Sequence, residues 1–151
     1  MPDAFELTPA IAKVVGETCI GTSVQRAARN LSRLYDAAFR PLGISGWQFS
    51  LLMNLARPKP PTVKELAEAL ALDASTVTTN VKLLERRNLV VVQVDASDRR
   101  VRRVTLTDEG RTLLAEAVPR WEEAQKASLA RLAQIELGPF RKAMSALAEG
   151  S

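Results

Sequence analysis

Histidine is absent from this 151-residue chain, which removes the most frequent zinc ligand and the most frequent general acid–base group at neutral pH. There is one cysteine, Cys19, so no disulfide can close within the chain. No apolar run approaches the roughly 20 residues that a bilayer crossing requires. The opening MPDAFELTPA lacks both the basic start and the apolar stretch of a secretory signal. No glycine-rich phosphate loop and no helix-facing pair of carboxylates is present, so no residue is nominated as catalytic. These absences lead to an expectation of a cytoplasmic protein with no catalytic residue, no metal ligand, no cofactor and no membrane partner. The balance of apolar and charged residues is that of one globular domain.

Positive charge is unevenly placed. Between Lys82 and Arg103 stand seven basic residues (Lys82, Arg86, Arg87, Arg99, Arg100, Arg102, Arg103) against three acidic ones (Glu85, Asp95, Asp98), which accounts for the whole net charge of +4. Four of those arginines fall within DASDRRVRRVTLTDEG, at 99, 100, 102 and 103. An excess confined to so short a window fits a polyanion-binding face, although a solvated charged surface also satisfies the count.

Periodicity organises the rest. Thr8 before Pro9 can cap a long first helix, with Ile20, Val24, Ala27, Leu31, Leu34 and Ala38 at helical spacing, a break near Gly16 or Gly21, and Pro41 and Gly43 at its end. Ser45 and Gln48 form a capping box for a short helix through Leu51, Leu52 and Leu55, and Thr62 and Glu65 form a second one for a helix carrying Leu66, Ala67 and Leu70. Asp73 is expected to cap the next helix. There Ala74, Val77, Val81 and Leu84 make an inward stripe and leave Ser75, Thr79, Lys82 and Arg86 outward, with Asn88 as a left-handed stop. Two short helices joined by a tight turn make a helix-turn-helix. LVVVQV and VRRVTL then read as the strands of a hairpin with DASDRR at its tip. Thr107 caps a further helix, with Asp108 and Glu109 in its first turn and an expected kink at Pro119. Gly138 and Pro139 are expected to break the chain before a last helix bearing Phe140, Met144 and Leu147.

The stretch TVKELAEALALDASTVTTNVKLLERRNLVVVQVDASDRRVRRVTLTDEG resembles the core of MarR-family transcriptional regulators. The resemblance implies a mainly α fold with a small β-hairpin wing, a winged helix-turn-helix flanked by N- and C-terminal dimerisation helices. It divides the single domain 1–151 into a DNA-binding lobe at 45–110 and dimerisation helices at 8–44 and 111–151. It assigns major-groove contacts to Ser75, Thr76, Thr78, Thr79 and Lys82, and wing contacts to Asp98, Arg99 and Arg100. Arg100 is expected in the minor groove, its guanidinium oriented by Asp98. The family often has arginine where Thr79 stands, so a bidentate guanine contact is missing there.

The partners implied are double-stranded DNA, a second copy of the chain and a small-molecule effector, phenolic in many relatives, whose binding releases a repressor from palindromic promoter DNA. Trp47 and Tyr35 are candidates for an effector pocket as well as for the core. Alternatives from other classes are a thiol-based oxidative sensor using Cys19, set against Cys19 as a small core residue among Val15, Ile20 and Val24, and a winged-helix module that binds proteins. The arginine-rich hairpin tip disfavours the last.

Overall fold

A computed structural model describes residues 6–149. In chain order the elements are α1 (Pro9–Thr18), α2 (Ile20–Phe39), a 3₁₀ turn (Arg40–Leu42), α3 (Gly46–Leu55), α4 (Val63–Leu70), α5 (Ala74–Arg86), β1 (Val90–Val94), β2 (Arg102–Leu106), α6 (Asp108–Ala130) and α7 (Leu137–Ala148). The architecture is mainly α with one two-stranded hairpin, as expected. Among the described residues no helix is long and apolar enough to cross a membrane.

Local chemistry explains most element starts. The Ser45 and Thr62 side chains accept from the N–H groups of Gln48 and Glu65, whose side chains accept in return from the Ser45 and Thr62 N–H groups. Thr107 accepts from Gly110 N–H at 3.0 Å, and Asp108 and Glu109 oppose the positive end of α6. Asn88 adopts φ 56°, the left-handed stop foreseen for it. Ala71 was not singled out, yet it also lies in that region at φ 50°, and Leu72 N–H reaches back to Ala67 O at 3.0 Å to end α4.

The break expected near Gly16 or Gly21 falls at Cys19, where extended backbone ends α1 and starts α2. Other expectations require correction. Asp73 occupies the N-cap position of α5 without a side-chain cap bond, and Ala74 is exposed rather than part of the inward stripe. Gly138 and Pro139 do not precede the last helix. They lie in its first turn, where proline loses no helical hydrogen bond. The chain instead turns between Ala130 and Leu137.

The core lies within the lobe built from α3, α4, α5 and the hairpin, closed by Phe39 of α2 and by Leu114 and Ala117 of α6. Leu51, Leu52, Leu55, Leu66, Val77, Leu84, Val90 and Val104 are fully buried there, each such side chain contributing about 1.5–3 kcal/mol of transfer free energy. β1 and β2 pair antiparallel, with Val90 opposite Leu106 and Val94 opposite Arg102. Val104 N–H also donates to Pro61 O at 2.9 Å, which ties the hairpin to the segment that leads into α4. By contrast, α1 and α7 bury no residue, and α2 buries only Phe39.

Candidate nucleic-acid interface

Helix α5 packs Val77, Val81 and Leu84 against the core, which turns Ser75, Thr76, Thr79 and Lys82 to solvent. Thr78, assigned to the groove by the resemblance alone, is half-buried and presents less to a groove than its neighbours. The Thr79 hydroxyl donates to Ser75 O at 3.0 Å and leaves only its lone pairs for a partner outside the helix.

The hairpin tip is organised by two aspartates. Asp95 Oδ1 accepts from Ser97 N–H at 2.8 Å, the Ser97 hydroxyl at 2.6 Å and Asp98 N–H at 3.2 Å. These donors, the Ser97 hydroxyl first and then the Arg103 guanidinium, hold the Asp95 carboxyl far below the usual carboxylate range. Asp98 Oδ1 in turn accepts from Arg100 N–H at 3.0 Å and from its Nε at 3.4 Å. The Arg100 side chain is 91% exposed, so it is aimed from a braced turn into open solvent.

The seven basic residues do not all face outward. Arg87 donates to Gly43 O at 2.6 Å and Leu42 O at 3.0 Å, tying the end of α5 to the loop before α3. Arg103, one of the four arginines of the hairpin stretch, is only 18% exposed. It bonds Asp95 through Nε, donates from Nη1 to Pro60 O at 2.8 Å, and lies 3.6 Å from Glu65 Oε2. Glu65 is itself held below the usual carboxylate range, first by the Thr62 N–H and further by Arg103. Arg103 is therefore a clamp between wing and helix-turn-helix. Nothing local in the sequence reveals that the segment Pro60–Thr62 lies over it. Lys82, Arg86, Arg87, Arg99, Arg100 and Arg102 are exposed.

Gly110 is a second residue that sequence reasoning missed. A Cβ there would stand 2.1 Å from Leu89 O, so only glycine lets α6 approach the joint between α5 and β1 this closely. Thr107 completes the joint, its hydroxyl donating to Asn88 O at 2.6 Å.

Where α2 and α6 meet the lobe, a cleft of about 430 Å³ is lined by Tyr35, Asp36, Trp47, Phe49 and Trp121 among others. Tyr35 donates to Gln125 Oε1 at 2.7 Å across the α2–α6 contact. Tyr35 also packs on Phe39, so it is both cleft wall and edge of the core. Cys19 lies far along the chain from this cleft, between α1 and α2. Its sulfur accepts from Thr22 N–H at 3.5 Å, and the bonds to Thr22 lower its pKa from the ordinary value. Val15 and Ile20 beside it are more than half exposed, so Cys19 is not part of the core of a single copy.

A helix-turn-helix whose second helix faces outward, flanked by an arginine-tipped hairpin, defines a winged-helix DNA-binding transcriptional regulator. Comparison with known proteins agrees. A sequence model of the MarR family matches residues 42–101. The transcriptional regulator MosR of M. tuberculosis, solved in complex with DNA, is 34% identical, with 86% of this chain and 93% of that one covered and a TM-score of 0.77. CouR from Rhodococcus jostii RHA1, bound to p-coumaroyl-CoA, is 25% identical over 89% of this chain and 95% of its own, with a TM-score of 0.79. BpsR of Bordetella bronchiseptica, whose DNA binding is regulated by 6-hydroxynicotinic acid, is 25% identical over 89% and 96%, with a TM-score of 0.80. The chain belongs to the MarR family.

Proposed function

We propose that the protein is a homodimeric repressor acting in the cytoplasm on palindromic promoter DNA, without catalysis of its own, and that a small molecule releases it. In this reading 45–110 is the DNA-binding lobe. Helix α5 enters the major groove with Ser75, Thr76, Thr79 and Lys82 foremost, while Arg100 enters the adjoining minor groove and Arg99 meets the backbone. The observation that carries the reading is the braced wing tip, where Asp95 orders the turn and Asp98 aims an otherwise free Arg100.

Dimerisation is supported by apolar side chains that a single copy leaves uncovered: Val14 and Val15 on α1, Ile20 and Leu31 on α2, and Met144 and Leu147 on α7. Exposed apolar surface of this extent, on helices with little else to bury, fits a two-fold partner, and a two-fold dimer fits a palindrome. The effector would occupy the cleft walled by Tyr35 and Trp47, where occupancy would alter how α2 and α6 hold the lobe.

Electrophoretic mobility shift on the DNA upstream of the protein's own gene, with sedimentation at several concentrations, tests both parts. The expected result is a salt-sensitive complex of two chains per palindrome. A monomer that persists at tens of micromolar and still shifts the palindrome would overturn the dimer, and absence of any shift at low salt would overturn the DNA reading.

A second reading rests on Cys19. Its sulfur caps the N-terminus of α2, a placement that favours thiolate. Attack of that thiolate on a peroxide oxygen would yield a sulfenic acid at Cys19 with release of water or hydroxide.

A further inference from the structure

Two clefts share Leu31 and Tyr35 as walls but differ in charge. The first, between α2, α3 and α6, has Asp36 as its charged lining residue, and among the described residues no lysine or arginine lines it. The second, about 400 Å³ between α2, α6 and α7, is lined by Arg131 and Arg141 and by no carboxylate. In the first cleft, Asp36 Oδ1 accepts the Gly46 N–H at 2.7 Å, which helps hold the start of α3. Its Oδ2 has no hydrogen-bond partner among the described residues. Around this carboxylate stand Trp47 on α3 and Trp121 on α6, each 36% exposed, with Tyr35 and Phe49 behind them.

We propose that the cleft between α2, α3 and α6 binds an aromatic cation, an aryl-substituted ammonium or a charged nitrogen heterocycle. The inference rests on the effector reading above and names its ligand class. Indole and phenol faces carry negative potential and attract cations, and a nearby carboxylate adds to that attraction. An aryl carboxylate entering the same cleft would meet Asp36 with no cation to offset the repulsion, and its desolvation would go uncompensated. The volume falls within the usual range for small-molecule sites. Charge complementarity therefore selects the cation here and sends an aryl carboxylate toward Arg131 and Arg141.

The chain has two tryptophans in all, and both line the first cleft while neither lines the second. Intrinsic fluorescence of the full-length protein thus reports on the first cleft and on the adjoining groove that Trp121 shares with Met53 and Val118, and not on the second cleft. Titration with benzyltrimethylammonium should change that fluorescence saturably, whereas salicylate should not. Asp36→Asn keeps an oxygen acceptor for the Gly46 N–H and should weaken cation binding at least tenfold. Neopentylbenzene, the uncharged isostere of the cation, should bind wild type at least tenfold more weakly, a comparison that does not depend on the variant folding. Saturation of the tryptophan signal by salicylate with equal or higher affinity, or equal binding of cation and isostere, overturns the proposal. Operator release is measured separately. Cation binding that leaves DNA affinity unchanged removes the effector role and leaves the ligand class standing, whereas intact DNA binding with no cation binding removes the class alone.

Discussion

Replacing Gly110 by alanine sets two opposite effects against each other. In an open helix position the change gains up to about 1 kcal/mol, because glycine loses more backbone entropy on folding. At 110 the added methyl would lie 2.1 Å from Leu89 O and 3.1 Å from Leu106 Cδ2, whereas ordinary contact begins near 3.4 Å. A backbone carbonyl must then retreat by about 1.3 Å, the difference between those distances. That carbonyl accepts the Thr107 N–H at 3.1 Å, so the retreat also strains the cap of α6. Overpacking of this kind costs about 1–3 kcal/mol and a lost hydrogen bond about 1 more. The clash therefore wins, with a net loss of about 1–3 kcal/mol against a total stability of about 5–15 kcal/mol. Urea denaturation measures it, with Gly16→Ala as the contrast, since nothing lies within 4 Å of a Cβ there and the variant should be neutral or slightly more stable. A Gly110→Ala midpoint at or above that of wild type would refute the reasoning.

The remaining expectations concern the wing and the thiol. Arg100→Ala should cost about 1–3 kcal/mol on the specific site and narrow its margin over scrambled DNA, whereas Arg102→Ala should weaken both alike and lower the salt slope by about one unit; binding isotherms at several salt concentrations separate these outcomes. Arg103→Ala should lower stability and specific affinity with the salt slope unchanged, because its guanidinium is spent on Asp95, Pro60 and Glu65; a lowered slope with wild-type stability would return it to the phosphate contacts. Asp95 has its folded pKa depressed, so its contribution is complete above the ordinary unfolded value of about 4 and is lost as pH falls below it. Asp95→Asn should accordingly flatten the acid limb of a stability–pH curve and leave neutral pH as its region of greatest loss. Under the thiol reading, peroxide should weaken DNA binding by wild type and spare Cys19→Ser; equal response of the two removes Cys19 as a sensor.

Local signals carried most of the architecture. Ser45 with Gln48, Thr62 with Glu65, and Thr107 ahead of Asp108 and Glu109 mark helix starts because each cap is satisfied within three residues, so no distant contact is needed to read it. The inward positions Val77, Val81 and Leu84 of α5 follow from a single helical period. The pairing of Asp98 with Arg100 came from the resemblance to the MarR family, and the contact is present. Local reasoning erred where two signals competed over a few residues. Gly138–Pro139 read as a breaker although proline is well tolerated in a first turn.

The sequence by itself determined the elements, the winged helix-turn-helix and the placement of its positive charge, because these depend on caps, period and composition within short windows. Tertiary structure decided which charges are free. Arg87 and Arg103 are indistinguishable in sequence from the arginines around them, and only the approach of Leu42–Gly43 ties down the exposed Arg87 while that of Pro60–Glu65 takes Arg103 out of solvent. It likewise decided that Gly110 must lack a side chain, and that Asp36, Trp47 and Trp121 face one cleft. These facts join residues tens of positions apart, and a contact across such a separation exists only once the core has closed.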